Sequence, residues 1–217
     1  MSVASWIRRI WLDRARFRPS VAADRIPPAL VRRFESVDTN ACSEIYRLNQ
    51  PGRFPDGFYP EFAATLQSTS HLYLVIEAAG QVVGLGGIYL TPEVSGGSSL
   101  VFGLIHPARH RQGFGSALLL ARLSTLPKPS PRTWVFLSSG GTSDSYFLSF
   151  GFEHYGRIPI PPSSHPFDCY RSYLEEAEWK ECSDILVRRS VRFDRKGIVV
   201  PLGPAIPNKS LERTRAR

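Results

Sequence analysis

The chain has 217 residues, 42% of them hydrophobic, which is enough to enclose one sizeable core. No stretch approaches the apolar length of a transmembrane helix. The opening MSVASWIRRIWLDRARF is broken by arginines where a signal peptide needs a continuous apolar run, so a cytoplasmic protein is expected.

Cys42, Cys169 and Cys182 are odd in number and irregularly spaced, which argues against a disulfide framework and against a C-x-x-C zinc site. His106 and His110 are four apart, but Pro107 prevents a helical metal pair, and no metal is expected. The net charge of +8 belongs to the ends. Residues 1–35 carry +5 and residues 188–217 carry +7, leaving the middle of the chain at −4. Basic ends can bind nucleic acid or an anionic membrane, or simply be solvated. No nucleic-acid reading motif accompanies them, so no specific nucleic-acid partner is expected.

In chain order, Val3, Trp6, Ile7, Ile10 and Trp11 follow helical spacing, with arginines mostly elsewhere. This predicts a basic amphipathic helix within an N-terminal extension, residues 1–35. Through residues 3–17 it could meet a membrane surface or a partner, or cover an apolar patch of the core. SVDTNACSEIYRLN, residues 36–49, predicts a helix. QPGRFPDGFYP is a loop punctuated by Pro and Gly, and PEFAATLQSTS a second helix. HLYLVIEAAGQVVGLGGIYL predicts two strands joined by a tight turn at Ala79–Gly80.

SSLVFGLI, ending at Ile105, predicts a strand, and QGFGSALLLARLSTL, from Gln112, a helix that stops before Pro127. Between them the chain is basic and glycine-rich. A helix start presents unpaired N–H groups and the positive end of the dipole, and so attracts anions. Gly113 and Gly115 lack a Cβ and would let a ligand approach the backbone. Arg109 and Arg111 add charge beside them. An ordinary glycine-bearing helix start has the same local features. Neither G-x-x-x-x-G-K-[ST] nor the dinucleotide fingerprint is present: Leu118 stands where the latter needs its third glycine.

TWVFLSSG predicts a further strand and TSDSYFLSFGF a short helix ending at Gly151. EHYGRIPI and SDILVRRSV are expected to be the last two strands. Residues 161–183 between them are expected to be an insertion with a helix around YRSYLEEAEWK. Residues 192–217 are expected to form a basic, disordered tail.

Ile105, His106 and Pro107, followed by HRQGFG, resemble the acyl-CoA binding signature of the GNAT family of N-acetyltransferases. There a strand leads through V-H-P to [Q/R]-x-x-G-x-[G/A] and a helix; His110 departs from the usual Gln or Arg. The resemblance covers roughly residues 36–191. It implies an α/β fold, the GNAT acyl-CoA N-acyltransferase fold, with a mixed central sheet flanked by helices and the acetyl-CoA site inside those residues. It implies that His110, Arg111, Gln112, Gly113, Phe114, Gly115 and Ser116 form the pyrophosphate loop. The strand end at Leu104 and Ile105 would pair with the pantetheine chain.

In many members a Tyr four residues before the Gly of a Gly-Phe pair is the general acid. Gly151–Phe152 puts Phe147 at that position, with Tyr146 next to it and turned elsewhere by about 100° if helical. Tyr146 and His106 are the catalytic candidates. Asp144, Glu61 and Glu77 are carboxylates near by element only, and water is the expected base. Acceptor specificity would come from Tyr46, Arg53, Phe54 and Phe58. The implied function is acetyl transfer from acetyl-CoA to an amine of a small molecule or protein, by direct attack in a ternary complex. The alternative is an acyl-CoA-binding module of the same fold with little or no catalysis.

Overall fold

Alternation within one strand explains how the molecule layers. Leu72, Leu74 and Ile76 belong to one hydrophobic core, whereas Tyr73 and Val75 belong to a second on the opposite face. Successive side chains of a strand point to opposite sides of the sheet, so a run apolar at every position must be covered on both faces. The structure, a computed structural model, describes residues 14–50, 54–89, 97–140, 143–159, 166–198 and 200.

In chain order the elements are β1 (Ala29–Arg33), α1 (Thr39–Asn49), α2 (Tyr59–Gln67), β2 (His71–Ala78), β3 (Gln81–Tyr89), β4 (Gly97–Ile105), α3 (Phe114–Thr125) and β5 (Arg132–Ser139). They continue with α4 (Asp144–Ser149), β6 (Glu153–Pro159), β7 (Pro166–Glu175), α5 (Glu176–Arg188) and β8 (Val191–Phe193). Among the described residues one sheet contains all eight strands, in the order β6-β7-β5-β4-β3-β2-β1-β8. The pairs β4/β5 and β1/β8 are parallel and the others antiparallel, so the sheet is mixed. The expected α/β class with a mixed sheet between helices is observed.

Helices α1 and α2 cover one face through Cys42, Ile45, Tyr46, Phe62 and Leu66. Helices α3 and α5 cover the other, through Ala117, Leu118, Leu120 and Ala121 and through Cys182, Ile185 and Leu186. The β2–β3 turn falls at Ala79–Gly80 as expected, with φ of 51° and 75°. Two positive φ values match the twist of a two-residue hairpin.

The C-terminal third departs from expectation. The segment 161–183, read as an insertion, contains β7, which lies between β5 and β6 in the sheet. YRSYLEEAEWK is strand up to Glu175, where a capping box with Glu178 starts α5. SDILVRRSV is helix as far as Arg188, and only Val191 joins the edge strand β8. Ile185-Leu186-Val187 reads as a strand because a short apolar run carries no period of its own. In α5, Ile185 and Leu186 are buried at helical spacing from Glu178 and Cys182, while Val187 is 76% exposed.

Both ends contribute to the core as well. Ala15, Phe17, Ala22 and Ile26, placed in the extension, are buried, and Phe17 stacks on Phe150 at 5.6 Å. Residues 191–193 pair with β1, so the strand edge runs into the segment read as tail. The rest of the expected amphipathic helix, residues 3–13, lies outside the described residues, as do residues 201–217.

Candidate active site

The site begins where two parallel strands stop pairing. β4 and β5 run together from Gly97↔Trp134 to Leu100↔Leu137 and no further. On its other side β4 meets β3 at Val101↔Gly87 and Leu104↔Leu85, so Phe102 and Gly103 together oppose Gly86. Phe102 has φ of 41°. Two residues opposite one is a β-bulge, which bends its strand. The bend opens a wedge of about 90 Å³ between β4 and β5, whose lining includes Phe54, Phe102, Leu137, Ser139, Phe147 and Phe167.

A larger groove of about 540 Å³ runs to this wedge from the loop between β4 and α3. Arg25, Arg109, His110 and Arg111 line its loop end and Arg122 its inner end, and among the described residues no carboxylate lines it. The first bond internal to α3 runs from the Ala117 N–H to Gly113 O, 3.0 Å. The N–H groups of Phe114, Gly115 and Ser116 therefore precede the helix ladder and are available to an anion.

The two glycines of the loop have different reasons to be there. Gly113 has φ of +89°, and a Cβ on it would collide with the Arg25 carbonyl. Its constraint is chain packing, which corrects the expectation that it makes room for a ligand. At Gly115 a Cβ would meet only Ile105 Cγ1 at 3.6 Å and the Tyr146 hydroxyl at 3.8 Å, so the space above it is open to the groove.

Of the expected loop residues, Ile105, His110, Arg111, Gly113, Gly115 and Ser116 line the groove, and Leu104 lines the wedge. Gln112 instead donates to the Ala108 carbonyl at 2.9 Å, and Phe114 is buried in the core; neither lines a cavity. At the strand end expected to pair with a pantetheine chain, the Ile105 carbonyl is bonded to Asn49 Nδ2 at 2.9 Å and His110 Nε2 at 2.8 Å.

His106 lines neither cavity. Its Nδ1 accepts from the Ala108 N–H at 3.2 Å and caps a short 3-10 turn. Tyr146 is not turned out of the site: it lines the groove beside Gly115, with its hydroxyl buried and without a hydrogen-bond partner. Burial pushes that phenol up to about 12, with the nearby Ser116 side chain and Arg122 offsetting part of the shift. Phe147 lines both groove and wedge. Glu77 is bound to Arg32, which also pairs with Asp38.

Of the expected acceptor residues, Phe54 lines the wedge. Tyr46 and Phe58 are core, Tyr46 stacking on Phe62 at 4.5 Å. Arg53 lies outside the described residues. Arg25, Phe102, Arg122 and Phe167 line the site without having been singled out, because nothing local marks a residue that arrives from elsewhere in the chain. Among the described residues no group of His, Cys, Asp or Glu could hold a metal ion, and no helix is long and apolar enough to cross a membrane.

The sequence model of the acetyltransferase (GNAT) family matches residues 39–136. No curated protein matches the sequence. Three solved structures share the fold at low identity. A protein assigned to the GNAT family from Desulfovibrio desulfuricans is 14% identical with a TM-score of 0.55, covering 66% of this chain and 97% of its own. An aminoglycoside 6'-N-acetyltransferase complexed with coenzyme A is 12% identical with a TM-score of 0.51, covering 66% and 96%. The aminoglycoside 6'-N-acetyltransferase of Enterococcus faecium is 12% identical with a TM-score of 0.50, again covering 66% and 96%.

Proposed function

We propose, from the match of residues 39–136 to the acetyltransferase (GNAT) family, that this chain transfers an acetyl group from acetyl-CoA to an amine. The observation that supports this most is the groove itself. Its loop end is lined by three arginines, Arg25, Arg109 and Arg111, and among the described residues by no acid; it begins at free helix N–H groups and leads into the opening between β4 and β5. A long ligand with a diphosphate at one end and a reactive group at the other fits that sequence of environments.

In this reading the amides of Phe114, Gly115 and Ser116 hold the diphosphate, with Arg25, Arg109 and Arg111 around it. The thioester lies where groove and wedge meet. Beyond Leu100, β4 has no partner on its β5 side, so its N–H groups there can polarise the thioester carbonyl. The amine enters through the wedge, where Phe54, Phe102 and Phe167 favour an acceptor with an apolar body. Its nitrogen attacks the carbonyl carbon, the C–S bond breaks, and the thiolate of CoA leaves. Among the described residues no carboxylate or histidine lines the wedge, and in this reading the amine proton goes to water.

Phe147, at the junction, has no proton to give the thiolate, and this favours a second reading in which the chain binds acyl-CoA with little turnover. One experiment separates the two. CoA binding is measured by calorimetry, and thiol release from acetyl-CoA is followed with a panel of amines. Binding with amine-dependent thiol release supports transfer. Binding without it supports the second reading, and absence of CoA binding removes both.

A further inference from the structure

Arg122 is 6% exposed and lies on α3 among leucines. Its side chain passes under the sheet at Gly86 and Gly103, where a Cβ on either glycine would come within 2.7 Å of Nη1. The two glycines, on neighbouring strands, therefore clear a channel for the guanidinium. The channel ends in the site: Arg122 lines both groove and wedge, and shares that position with Gly103, Leu119, Ser143 and Phe147.

Among the described residues the guanidinium has no hydrogen-bond or ion-pair partner, and its Nε is buried. The ionisable groups that face it are Tyr146 and Tyr73, both neutral phenols. Arg32 shows the contrast, since it is held by Asp38 and Glu77 together. Burial pulls Arg122 down to about 10, so it stays charged at neutral pH. A buried charge without a counter-charge is costly, and such groups are found paired.

The loop that would hold a CoA diphosphate is at the other end of the groove. Arg122 stands six positions after Ser116, about 9 Å further along the helix axis, and its guanidinium lies beside Gly86 and Gly103, where groove and wedge meet. A carboxylate matches the planar fork of a guanidinium in shape and charge. The wedge has room for one, since about 90 Å³ is three times the roughly 30 Å³ share of a water molecule.

We propose that Arg122 is the receptor for a carboxylate brought to the junction of groove and wedge, either on the acyl group of the donor or on the acceptor amine. The proposal rests on the acyl-CoA reading of the groove and narrows it to substrates bearing that group. If the carboxylate is on the donor, the preferred donor is an ω-carboxyacyl-CoA. If it is on the acceptor, the preferred amine is an amino acid or a relative of one.

The test uses the full chain and its R122M and R122K variants. Free CoA, acetyl-CoA, malonyl-CoA and succinyl-CoA are titrated by calorimetry. Thiol release from acetyl-CoA is measured with amine pairs that differ only by a carboxylate, such as phenylalanine and phenethylamine. The expected result is at least a tenfold preference for the carboxylate-bearing member in one arm. R122M should abolish it and R122K should retain part of it, with free CoA bound within threefold of the parent. The arm that shows the preference identifies the source.

A parent with no preference in either arm overturns the proposal. So does a preference that survives in R122M, or an equal loss of turnover on every substrate, which would make Arg122 a stabiliser of the reaction's own charge. The parent comparison needs no variant and stands if R122M fails to fold. Failure of the parent to bind free CoA strikes the acyl-CoA reading itself.

Discussion

The carbonyl of Arg25 is seated against the Cα of Gly113, on the side where any other residue would carry its Cβ. A segment from the chain's N-terminal portion thereby fixes the start of α3, and Arg25 joins the lining of the groove. The two glycines of the loop should respond differently to substitution. Gly113→Ala combines a strained φ with a backbone collision and should cost about 3 kcal/mol of stability, measured by urea unfolding. Gly115→Val should leave the fold intact and lower CoA affinity at least tenfold, about 1.4 kcal/mol. Unchanged CoA affinity in folded Gly115→Val would remove the amides beside it from the diphosphate site.

The Tyr146 hydroxyl is buried beside Gly115 and unpartnered, whereas Phe147 reaches the junction with the wedge. Tyr146→Phe should therefore change turnover less than about threefold, since a general acid contributes about 10² to 10⁴. It should not destabilise the protein, because the hydroxyl it removes is unsatisfied. Phe147→Tyr should raise turnover by placing a donor at the junction. Steady-state rates of both variants with one acetylated amine check this, and a hundredfold loss in Tyr146→Phe would identify Tyr146 as the acid.

Truncation should show a sharp boundary. The Phe17 ring is buried against Phe150, its N–H donates to the Tyr173 carbonyl at 2.9 Å, and Ser172 Oγ donates to the Ala15 carbonyl at 2.8 Å. Losing the Phe17 side chain alone should cost about 3–5 kcal/mol, roughly 10 °C of melting temperature at this size. A chain beginning at residue 14 should melt more than 5 °C above one beginning at residue 21. Equal melting temperatures would show that the N-terminal segment is not part of the core.

Asp38 accepts from both Nη atoms of Arg32, at 2.7 and 2.8 Å, and from the Glu35 N–H at 2.9 Å. Burial pushes its carboxyl up, but Arg32 and the Glu35 N–H outweigh it and hold the group below its ordinary value. A carboxyl lowered in the folded state adds stability above its unfolded value, about 3.9, and that contribution is lost as pH falls through the folded value. Asp38→Asn should be less stable than the parent at pH 7, and the gap should narrow below about pH 4. Melting temperatures of both proteins between pH 7 and 3 test this; a constant gap would contradict it.

Local sequence was sufficient wherever an element is made by neighbours in the chain. The strand, loop and helix from Ser98 to Thr125 are of this kind, because a β-branched run, a proline–glycine loop and a helix start are each set by adjacent residues. The hairpin at Ala79–Gly80 is set by a two-residue gap between apolar runs and by Gly80, which takes a positive φ without a Cβ penalty. Local sequence failed where identity depends on what lies opposite. Ile185-Leu186-Val187 has no period, and only packing against α3 makes it helix. Residues 166–175 became a central strand because β5 needed a partner on its outer side.

The site divides in the same way. The basic, glycine-bearing loop before α3 could be read from one stretch, but Arg25, Phe102, Arg122 and Phe167 line one site only because the bulge at Phe102–Gly103 opens the sheet. Gly86 and Gly103 are unremarkable in sequence. Their role, making room for Arg122 to cross beneath two strands, exists only once α3 is laid against the sheet, since a contact between residues far apart in the chain is decided by the register of the strands and the face of the helix.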